Sequence, residues 1–179
     1  MELYIAGGVG EHGRNCFYLQ NGEDAILVDC GLMAGSNDPL PRLTESQIRK
    51  LKAVFLTHSH ADHTGALPWL LRQGYTGPII STTPTLQQLP FIVQNAVALE
   101  QVAPRNKKCN GITWGLSGHC EGSVWLKLDW DGKAILFSGD YTEQSAVYPC
   151  DVLRHQVADL AVLDCAYGHD STLWNDSVT

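Results

Sequence analysis

The feature that most constrains this chain is a dense group of polar residues directly after a short apolar segment. Residues 53–57 read AVFLT, a run rich in β-branched and aromatic residues that predicts a buried strand. The next six residues contain His58, His60, Asp62 and His63. Imidazole and carboxylate groups are ligands that proteins offer to zinc and similar divalent metals. The segment therefore predicts a strand that ends in a metal site.

The spacing within this group indicates two metal positions rather than one. On an extended segment the side chains at i and i+2 point to the same side, so His58 and His60 can reach one ion together. Asp62 and His63 follow after a turn and can face a second position. One zinc ion takes about four ligands, and the spacing of these four does not suit a single ion. The remaining ligands must come from elsewhere in the chain.

Two later segments offer such ligands at the ends of predicted strands. His119 lies in LSGHCEGSVW, a glycine-rich turn, and Asp140 lies in ILFSGDY, directly after a strand. Loops at strand ends are where functional side chains gather. A lone histidine or aspartate in such a place would be an ordinary turn residue. In the same chain as HSHADH, both are better interpreted as metal ligands.

A glycine motif near the N-terminus suggests a different function, which its context excludes. Gly8, Gly10 and Gly13 form GxGxxG after a predicted strand. A dinucleotide site requires a helix after the third glycine, because the helix N-terminus binds the pyrophosphate. Here the following residues, 14–29, predict strand, turn and strand. The motif is therefore interpreted as a loop, placed where it could line a substrate cleft.

The secondary-structure pattern predicts an α+β fold. Turn signals at Asn21-Gly22 and Asp131-Gly132 predict hairpins, and Thr44 begins a helix capping box. Apolar spacing predicts one long helix over residues 84–101, with a kink at Pro90. Strands come as a block, alternate with helices and then return. This order suits two mixed sheets packed face to face with helices outside, a four-layer αβ/βα sandwich.

Composition limits the remaining possibilities. The 179 residues are 44% apolar and only 17% charged, which excludes disorder and suits one domain over residues 1–179. The net charge of −7 argues against a broad nucleic-acid-binding face on this domain alone. No apolar run reaches the roughly 18 residues of a membrane span, and no signal peptide is evident, so a cytoplasmic location is expected. The six scattered cysteines are expected to be reduced.

These motifs resemble those of a known family. THSHADHTG resembles the HxHxDH signature of the metallo-β-lactamase-fold hydrolases, GHCEGS their second histidine motif and SGDY their bridging-aspartate motif. The motifs GGVGEHGRNCFYL, LVDCG and LDCAYG resemble the β-CASP branch, which includes ribonuclease J and the cleavage and polyadenylation endonuclease. The resemblance runs from about residue 3 to residue 168.

The resemblance implies two divalent metal ions, with zinc expected and manganese or iron as alternatives. It implies that the first ion is held by three imidazoles, those of His58, His60 and His119. The second ion would be held by Asp62 and His63, and Asp140 would bridge the two ions. Asp29 would orient the ligands by hydrogen bonds. Asp164 would assist proton transfer, and would be a catalytic carboxylate together with Asp62 and Asp140.

The implied activity is hydrolysis of phosphodiesters in RNA or DNA, or in a small phosphodiester, by a metal-bound hydroxide. Because fold and ligands do not choose a substrate, two alternatives remain: a hydrolase of small esters, thioesters or lactams, and a catalytically weak binding scaffold.

One departure from the family pattern concerns the second ion. In the β-CASP branch a large inserted domain follows the YG motif, and a later histidine completes this site. This chain stops at Thr179, where that insertion would start, so two explanations are open: the N-terminal part of a longer enzyme, with a fold incomplete there, or a compact relative that completes its site differently. His169 is a local candidate for the missing ligand. Partners would then be a C-terminal domain outside this chain or further copies in a homo-oligomer.

Overall fold

The first of two β-sheets forms from the β-rich segments that lead up to the middle of the chain. The computed structural model describes residues 1–166. Neighbouring strands pair antiparallel from the first to the third strand and parallel from the third to the sixth, so the sheet is mixed. In sheet order, which is also chain order, the strands are β1 (Glu2–Gly7), β2 (Cys16–Asn21), β3 (Asp24–Val28), β4 (Leu51–Phe55), β5 (Ile79–Ser81) and β6 (Ala96–Ala98).

Short helices connect the parallel strands of this sheet. The capping box predicted at Thr44 is confirmed: its hydroxyl accepts from the Gln47 amide at 3.2 Å, and the Gln47 side chain accepts from the Thr44 amide at 2.9 Å. Pro68 lies in the first turn of its helix, where its missing N–H is not needed. In the described residues the helices are α1 (Glu45–Lys50), α2 (Ala61–Thr64), α3 (Leu67–Arg72), α4 (Thr83–Gln88) and α5 (Leu99–Val102).

The second sheet has four described strands, in the order β10-β9-β8-β7. The turn predicted at Asp131-Gly132 is confirmed, because both residues have positive φ, at 53° and 72°, and join two antiparallel strands. The last strand pairs parallel with its neighbour, so this sheet is also mixed. The strands are β7 (Ile112–Leu116), β8 (Val124–Trp130), β9 (Lys133–Phe137) and β10 (Leu160–Val162).

The two sheets pack face to face through apolar side chains. Phe17 and Val28 of the first sheet share one buried cluster with Leu126 and Phe137 of the second. The rings of Phe17 and Phe137 lie 5.7 Å apart between centroids. Each such side chain contributes roughly 1.5–3 kcal/mol on burial. Because this core holds the two sheets together, the loops at one end of both sheets meet at a common edge.

The outer faces of the two sheets are covered differently. Ile48 of α1 and Leu67 and Leu70 of α3 are buried against the first sheet. The outer face of the second sheet is covered by the irregular segment 139–159, whose Asp151 carbonyl accepts a hydrogen bond of 3.0 Å from Trp125 Nε1. The predicted α+β sandwich of two mixed sheets is confirmed, with helices on the outer face of the first sheet within residues 1–166.

The long helix predicted over residues 84–101 is wrong. The chain forms α4, breaks at Leu89 and Pro90, and then forms β6 and α5. Leu89 has ψ 132°, the extended conformation that a following proline favours. Beyond Pro90 the chain joins the sheet as a parallel strand: Val97 pairs with Ile80 and packs, partly buried, against the core. Sheet pairing therefore outweighed the helical spacing.

None of the helices in the described part of the chain is long and apolar enough to cross a lipid bilayer.

Candidate metal centre

The first group of ligand atoms lies just beyond the end of β4. His58 Nε2 lies 3.1 Å from His60 Nδ1, as expected for side chains two residues apart on an extended segment. His119 Nε2 lies 3.1 Å from the same His60 nitrogen. Asp140 Oδ2 lies 3.3 Å from His119 Nε2 and 3.7 Å from His58 Nε2. These four ligand atoms all lie within 4.8 Å of one another.

The spacing of this group fits a single divalent metal. Zinc binds imidazole nitrogen at about 2.0–2.1 Å in a tetrahedral site, which places neighbouring ligand atoms about 3.3 Å apart. Four of the six separations, 3.1, 3.1, 3.3 and 3.7 Å, lie on either side of that value, and all six are within 4.8 Å. Three imidazoles and one carboxylate are also a donor set that suits zinc. The residues present therefore fit a metal at this position.

A second group of ligand atoms adjoins the first and shares Asp140 with it. His63 Nε2 lies 3.1 Å from Asp140 Oδ1 and 3.6 Å from Asp62 Oδ2. The two oxygens of Asp140 are therefore divided between the groups, with Oδ2 toward His58 and His119 and Oδ1 toward His63. Two adjoining metal positions with Asp140 between them would require this geometry.

Helix α2, which carries Asp62 and His63, is held in place by main-chain hydrogen bonds. It has only four residues and would not be stable alone. Its carbonyl groups accept three hydrogen bonds from loops that are distant in sequence, and this sets its position independently of side chains. The Asn15 amide donates to the Asp62 carbonyl at 2.8 Å, and the Cys30 amide donates to the His63 carbonyl at 2.8 Å. The Leu32 amide donates to the Ala61 carbonyl at 3.0 Å.

Asp140 reaches the site because Gly139 allows a close approach between two loops. Gly139 has φ 53°, and a Cβ there would lie only 2.8 Å from the Cβ of Thr57. Glycine adopts this φ without a steric penalty. The loop after β9 therefore passes directly over Thr57 and places Asp140 beside His58.

The turn that carries His119 is tied to the same loops. The Val124 amide donates to the Thr57 carbonyl at 2.9 Å, which joins the start of β8 to the histidine segment. The Thr142 amide donates to the Ser117 carbonyl at 2.8 Å, which joins the turn to the Asp140 loop. His119 is thus fixed relative to both His58 and Asp140.

Asp29 orients the second group from behind. It is buried, at 1% exposure, and its Oδ2 accepts a 2.8 Å hydrogen bond from His63 Nδ1. Its Oδ1 accepts from the Thr57 amide at 2.8 Å, and Oδ2 also accepts from the Thr57 hydroxyl at 2.9 Å. Because a carboxylate only accepts, His63 carries a proton on Nδ1 and turns Nε2 toward Asp140. This is the hydrogen bond that the orienting role expected of Asp29 would require.

The electrostatics of the site keep His58 and His119 of the first group neutral, as metal binding requires, and keep His63 of the second group protonated. Burial, followed by repulsion from His63, lowers the pKa of His58 to about 2, so this imidazole is neutral. Burial also lowers the pKa of His119. Burial opposes a charge on His63, but Asp29 and Asp140 outweigh it and raise its pKa to about 10. Burial likewise opposes the charge of Asp140, yet His63 holds the pKa of that carboxyl well below its usual range.

The structure brings together all the predicted ligands that it describes. Asp164 lines the adjoining cleft and lies outside the four-ligand group; the Ser138 hydroxyl accepts from its amide at 2.7 Å. His169 lies outside the described residues. The sequence analysis missed Thr57, whose hydroxyl lies 3.2 Å from Nδ1 of both His58 and His63. It also missed Asn15, whose amide contacts the second group.

A cleft of about 640 Å³ opens beside the second group. The glycine motif of residues 8–13 forms one wall, as predicted, and β2 rather than a helix follows it. The residues after β10, including Asp164, line the cleft as well. Asp62, His63 and Asp140 also line it, so a ligand in this cleft would contact the second group.

Comparison with known proteins identifies a family model and curated relatives that match this chain. A family model described as the metallo-beta-lactamase superfamily matches residues 9–179. The transcription termination factor FttA of Methanothermobacter thermautotrophicus is 30% identical over 204 residues, covering 93% of this chain and 31% of that protein. Ribonuclease TTHA0252 of Thermus thermophilus is 25% identical over 190 residues, covering 94% of this chain and 44% of that protein. The chain thus spans less than half the length of these relatives.

Solved structures agree on the fold. The metallo-beta-lactamase fold protein YhfI of Bacillus subtilis superposes with a TM-score of 0.54 at 17% identity, covering 76% of this chain and 61% of that one. At this identity the likeness concerns the fold alone. The predicted family resemblance is confirmed by the family match, and the names of the curated relatives agree with the nucleic-acid-processing branch.

Proposed function

Because this chain belongs to the metallo-beta-lactamase superfamily, we propose that it is a dinuclear metal-dependent hydrolase that cleaves phosphodiesters in RNA or DNA. The observation that supports this most directly is the division of the Asp140 carboxylate. Its Oδ2 lies 3.3 Å from His119 Nε2, and its Oδ1 lies 3.1 Å from His63 Nε2. A carboxylate shared in this way is suited to bridge two cations.

The ligands of the two ions would come from the groups described above, with zinc expected and manganese or iron as alternatives. When bound, two such cations lower the pKa of water and stabilise the attacking and leaving oxygens of an in-line displacement. His58, His60 and His119 would hold the first ion. Asp62 and His63 would hold the second, and the donor chemistry of both groups suits divalent metals.

Other residues would orient and move protons. Asp29 accepts from His63 Nδ1 and so keeps Nε2 directed into the site, where it would give up its proton to hold a metal. Asp164 is exposed on the cleft wall, where its carboxylate would take part in proton transfer to or from the substrate oxygens. Its backbone is fixed by Ser138, whose hydroxyl accepts from the Asp164 amide at 2.7 Å.

The acidic lining of the cleft makes the binding of a phosphodiester dependent on bound cations. The cleft is lined by the carboxylates of Glu11, Asp62, Asp140 and Asp164, and the chain has a net charge of −7. A phosphodiester would be repelled from such a site unless cations offset this charge. The names of the curated relatives, a transcription termination factor and ribonucleases, support a nucleic acid as the substrate.

The test is an activity assay on the chain loaded with Zn²⁺ or Mn²⁺. A bis-aryl phosphate, a labelled RNA, a labelled single-stranded DNA and a thioester are compared. We expect turnover of the phosphodiesters and a loss of more than about 100-fold in His119→Ala and Asp140→Asn, beyond the 10- to 100-fold typical of residues that only support a ligand. His155→Ala is a matched control, because His155 is exposed and lies outside the ligand groups.

Two outcomes would contradict the proposed function in different ways. Turnover of the thioester alone would identify a hydrolase of small esters or thioesters on the same fold. A chain that takes up no metal and hydrolyses none of the four substrates would instead be a binding scaffold.

A further inference from the structure

We propose that His12 is a substrate-binding residue of the cleft, where its imidazole donates a hydrogen bond to a phosphate that neighbours the cleaved one. This rests on the proposed function, because it presupposes a nucleic-acid strand in the cleft. His12 belongs to the glycine motif of residues 8–13; it is exposed and lines the cleft.

His12 is a basic residue of the cleft that no other interaction occupies. Within residues 1–166, only His12 and His63 are basic among the residues that line the cleft, and His63 belongs to the second metal position. In this part of the chain the His12 imidazole has no hydrogen bond or ion pair with another side chain, whereas the neighbouring Glu11 is paired with Arg14. The N–H of His12 is therefore available to a ligand.

The loop that carries His12 is held in shape by its other polar side chains. Arg14 is buried, and its Nε and Nη2 donate to the two carboxylate oxygens of Glu11, at 2.7 Å each. Glu11 Oε1 also accepts from the Gly8 amide at 3.2 Å, which closes the loop on itself. Arg14 Nη1 donates to Asp38 Oδ2 at 3.0 Å and so ties the loop to the next segment. The loop thus presents His12 without using its side chain.

The same loop is anchored to the second metal position. The Asn15 amide donates to the Asp62 carbonyl at 2.8 Å, and the Asn15 carbonyl accepts from the Gly31 amide at 2.9 Å. Only two residues separate Asn15 from His12. The loop that presents the imidazole is therefore fastened to the helix that carries Asp62 and His63.

The cleft has room for more than the phosphate that reacts. Its volume of about 640 Å³ lies within the range of roughly 300–1,000 Å³ of pockets that bury a whole small ligand. The cleaved phosphate would lie at the metal positions, and the next phosphate of the strand would meet a lining rich in carboxylates, which repel it. An imidazole offers an N–H to a phosphate oxygen both as the neutral ring and as the cation. His12 therefore favours a strand with several phosphates over a single phosphodiester.

The test compares two substrates of the chain loaded with Zn²⁺ or Mn²⁺. A bis-aryl phosphate has only the reacting phosphate, whereas a labelled single-stranded RNA or DNA also has the neighbouring ones. His12→Leu keeps much of the side-chain volume but removes the donor. It should raise KM for the nucleic acid by about 10-fold or more, the effect of one hydrogen bond to a charged group, and leave kcat nearly unchanged. Its kcat/KM for the bis-aryl phosphate should equal that of the wild type.

Two further variants separate a substrate contact from a structural effect. His12→Gln keeps an N–H donor and should keep KM for the nucleic acid close to the wild-type value. His155→Leu is the matched control, because His155 is also an exposed histidine but lies outside the cleft; its KM should be unchanged. Thermal unfolding should give the same midpoint for all three variants, since neither histidine is buried.

The outcomes distinguish the role of His12 from the proposed function. An unchanged KM in His12→Leu, an equal loss in His12→Gln, or an equal loss with the bis-aryl phosphate would each overturn the role of His12, while turnover by the wild type would uphold the proposed function. A wild type that hydrolyses neither substrate refutes the proposed function, and the role of His12 with it.

Discussion

Asp29 Oδ2 accepts a 2.8 Å hydrogen bond from His63 Nδ1 across 34 positions of sequence, and this bond determines which nitrogen of His63 faces the site. Asp29 itself has φ 60°, a left-handed conformation that costs most residues about 1–2 kcal/mol. Asparagine tolerates this conformation as aspartate does. Asp29→Asn is therefore a variant that alters the hydrogen bond and leaves the backbone in place.

Asp29→Asn should weaken binding of the second ion by about 10- to 100-fold, the loss typical of removing the partner of a metal-bound histidine. An amide can donate to His63 Nδ1 and stabilise the tautomer with the proton on Nε2. Binding of the first ion should change much less. Calorimetric titration with Zn²⁺ measures both events, and equal weakening of the two would contradict this role for Asp29.

The metal-free protein should lose stability as the pH rises from 7 to 9. The ordinary pKa of histidine is about 6.5, whereas Asp29 and Asp140 outweigh burial and raise the pKa of His63 to about 10. Between these values the folded state holds more protons than the unfolded state, so the free energy of unfolding decreases with pH. The full contribution of His63 to the free energy of unfolding is present only below about pH 6.5, the ordinary histidine pKa. Urea denaturation in the presence of a chelator measures this effect.

The same pH series in Asp29→Asn provides the control. Removing a carboxylate that raises the His63 pKa should flatten the decrease between pH 7 and 9. Burial also raises the pKa of Cys16 and Tyr75, but those groups act mainly above this window. A decrease of the same slope in both proteins would assign the effect to groups other than His63.

His119→Ala should abolish tight binding of the first ion and leave the fold intact. The His119 side chain is 27% exposed and lies in a turn, so its removal creates little buried cavity. His58 is a poorer choice for this test because it is completely buried. Metal content after dialysis should fall by about one equivalent, while the circular dichroism spectrum should match that of His155→Ala. Retention of two tightly bound ions would refute the ligand role.

Gly31→Ala should destabilise the protein more than Gly35→Ala. A Cβ at Gly31 would overlap the carbonyl of Asp62, so the loop would have to move away from α2. Gly35 has φ 76° and open space around it, so alanine there costs only the backbone strain, about 1–2 kcal/mol. Denaturant unfolding measures the difference, which should exceed 1 kcal/mol. Equal losses would mean that the Gly31 contact is readily relieved.

The juxtaposition of His58 and His60 could be predicted from sequence because their spacing is tied to local geometry. His58 and His60 lie two apart on extended backbone, which is enough to predict a shared ion. The roles of His119, Asp140 and Asp29 depended on resemblance to a family, since no local rule brings these loops together. The capping box at Thr44 and the turn at Asp131 were predictable because each depends on a few adjacent residues.

The wrong helix over residues 84–101 and the missed residue Asn15 have the same cause: both depend on contacts between segments that are distant in sequence. The apolar spacing around Val97 satisfies both a helix and a half-buried strand, and only pairing with Ile80 decides between them. Asn15 carries no signal of its own, because an asparagine before a strand is an ordinary loop residue. Its position beside His63 follows from backbone hydrogen bonds to Asp62 and Gly31, which the sequence does not reveal.

The three main-chain hydrogen bonds that hold α2 have a practical consequence for engineering. Since these three bonds join peptide groups, substitutions at exposed positions of the 31–41 loop would not remove them. A library confined to Ala34 and Asn37, both exposed, would vary what the protein touches without disturbing the candidate metal ligands. Insertions, in contrast, would be tolerated only beyond Leu32, where the last of these bonds ends.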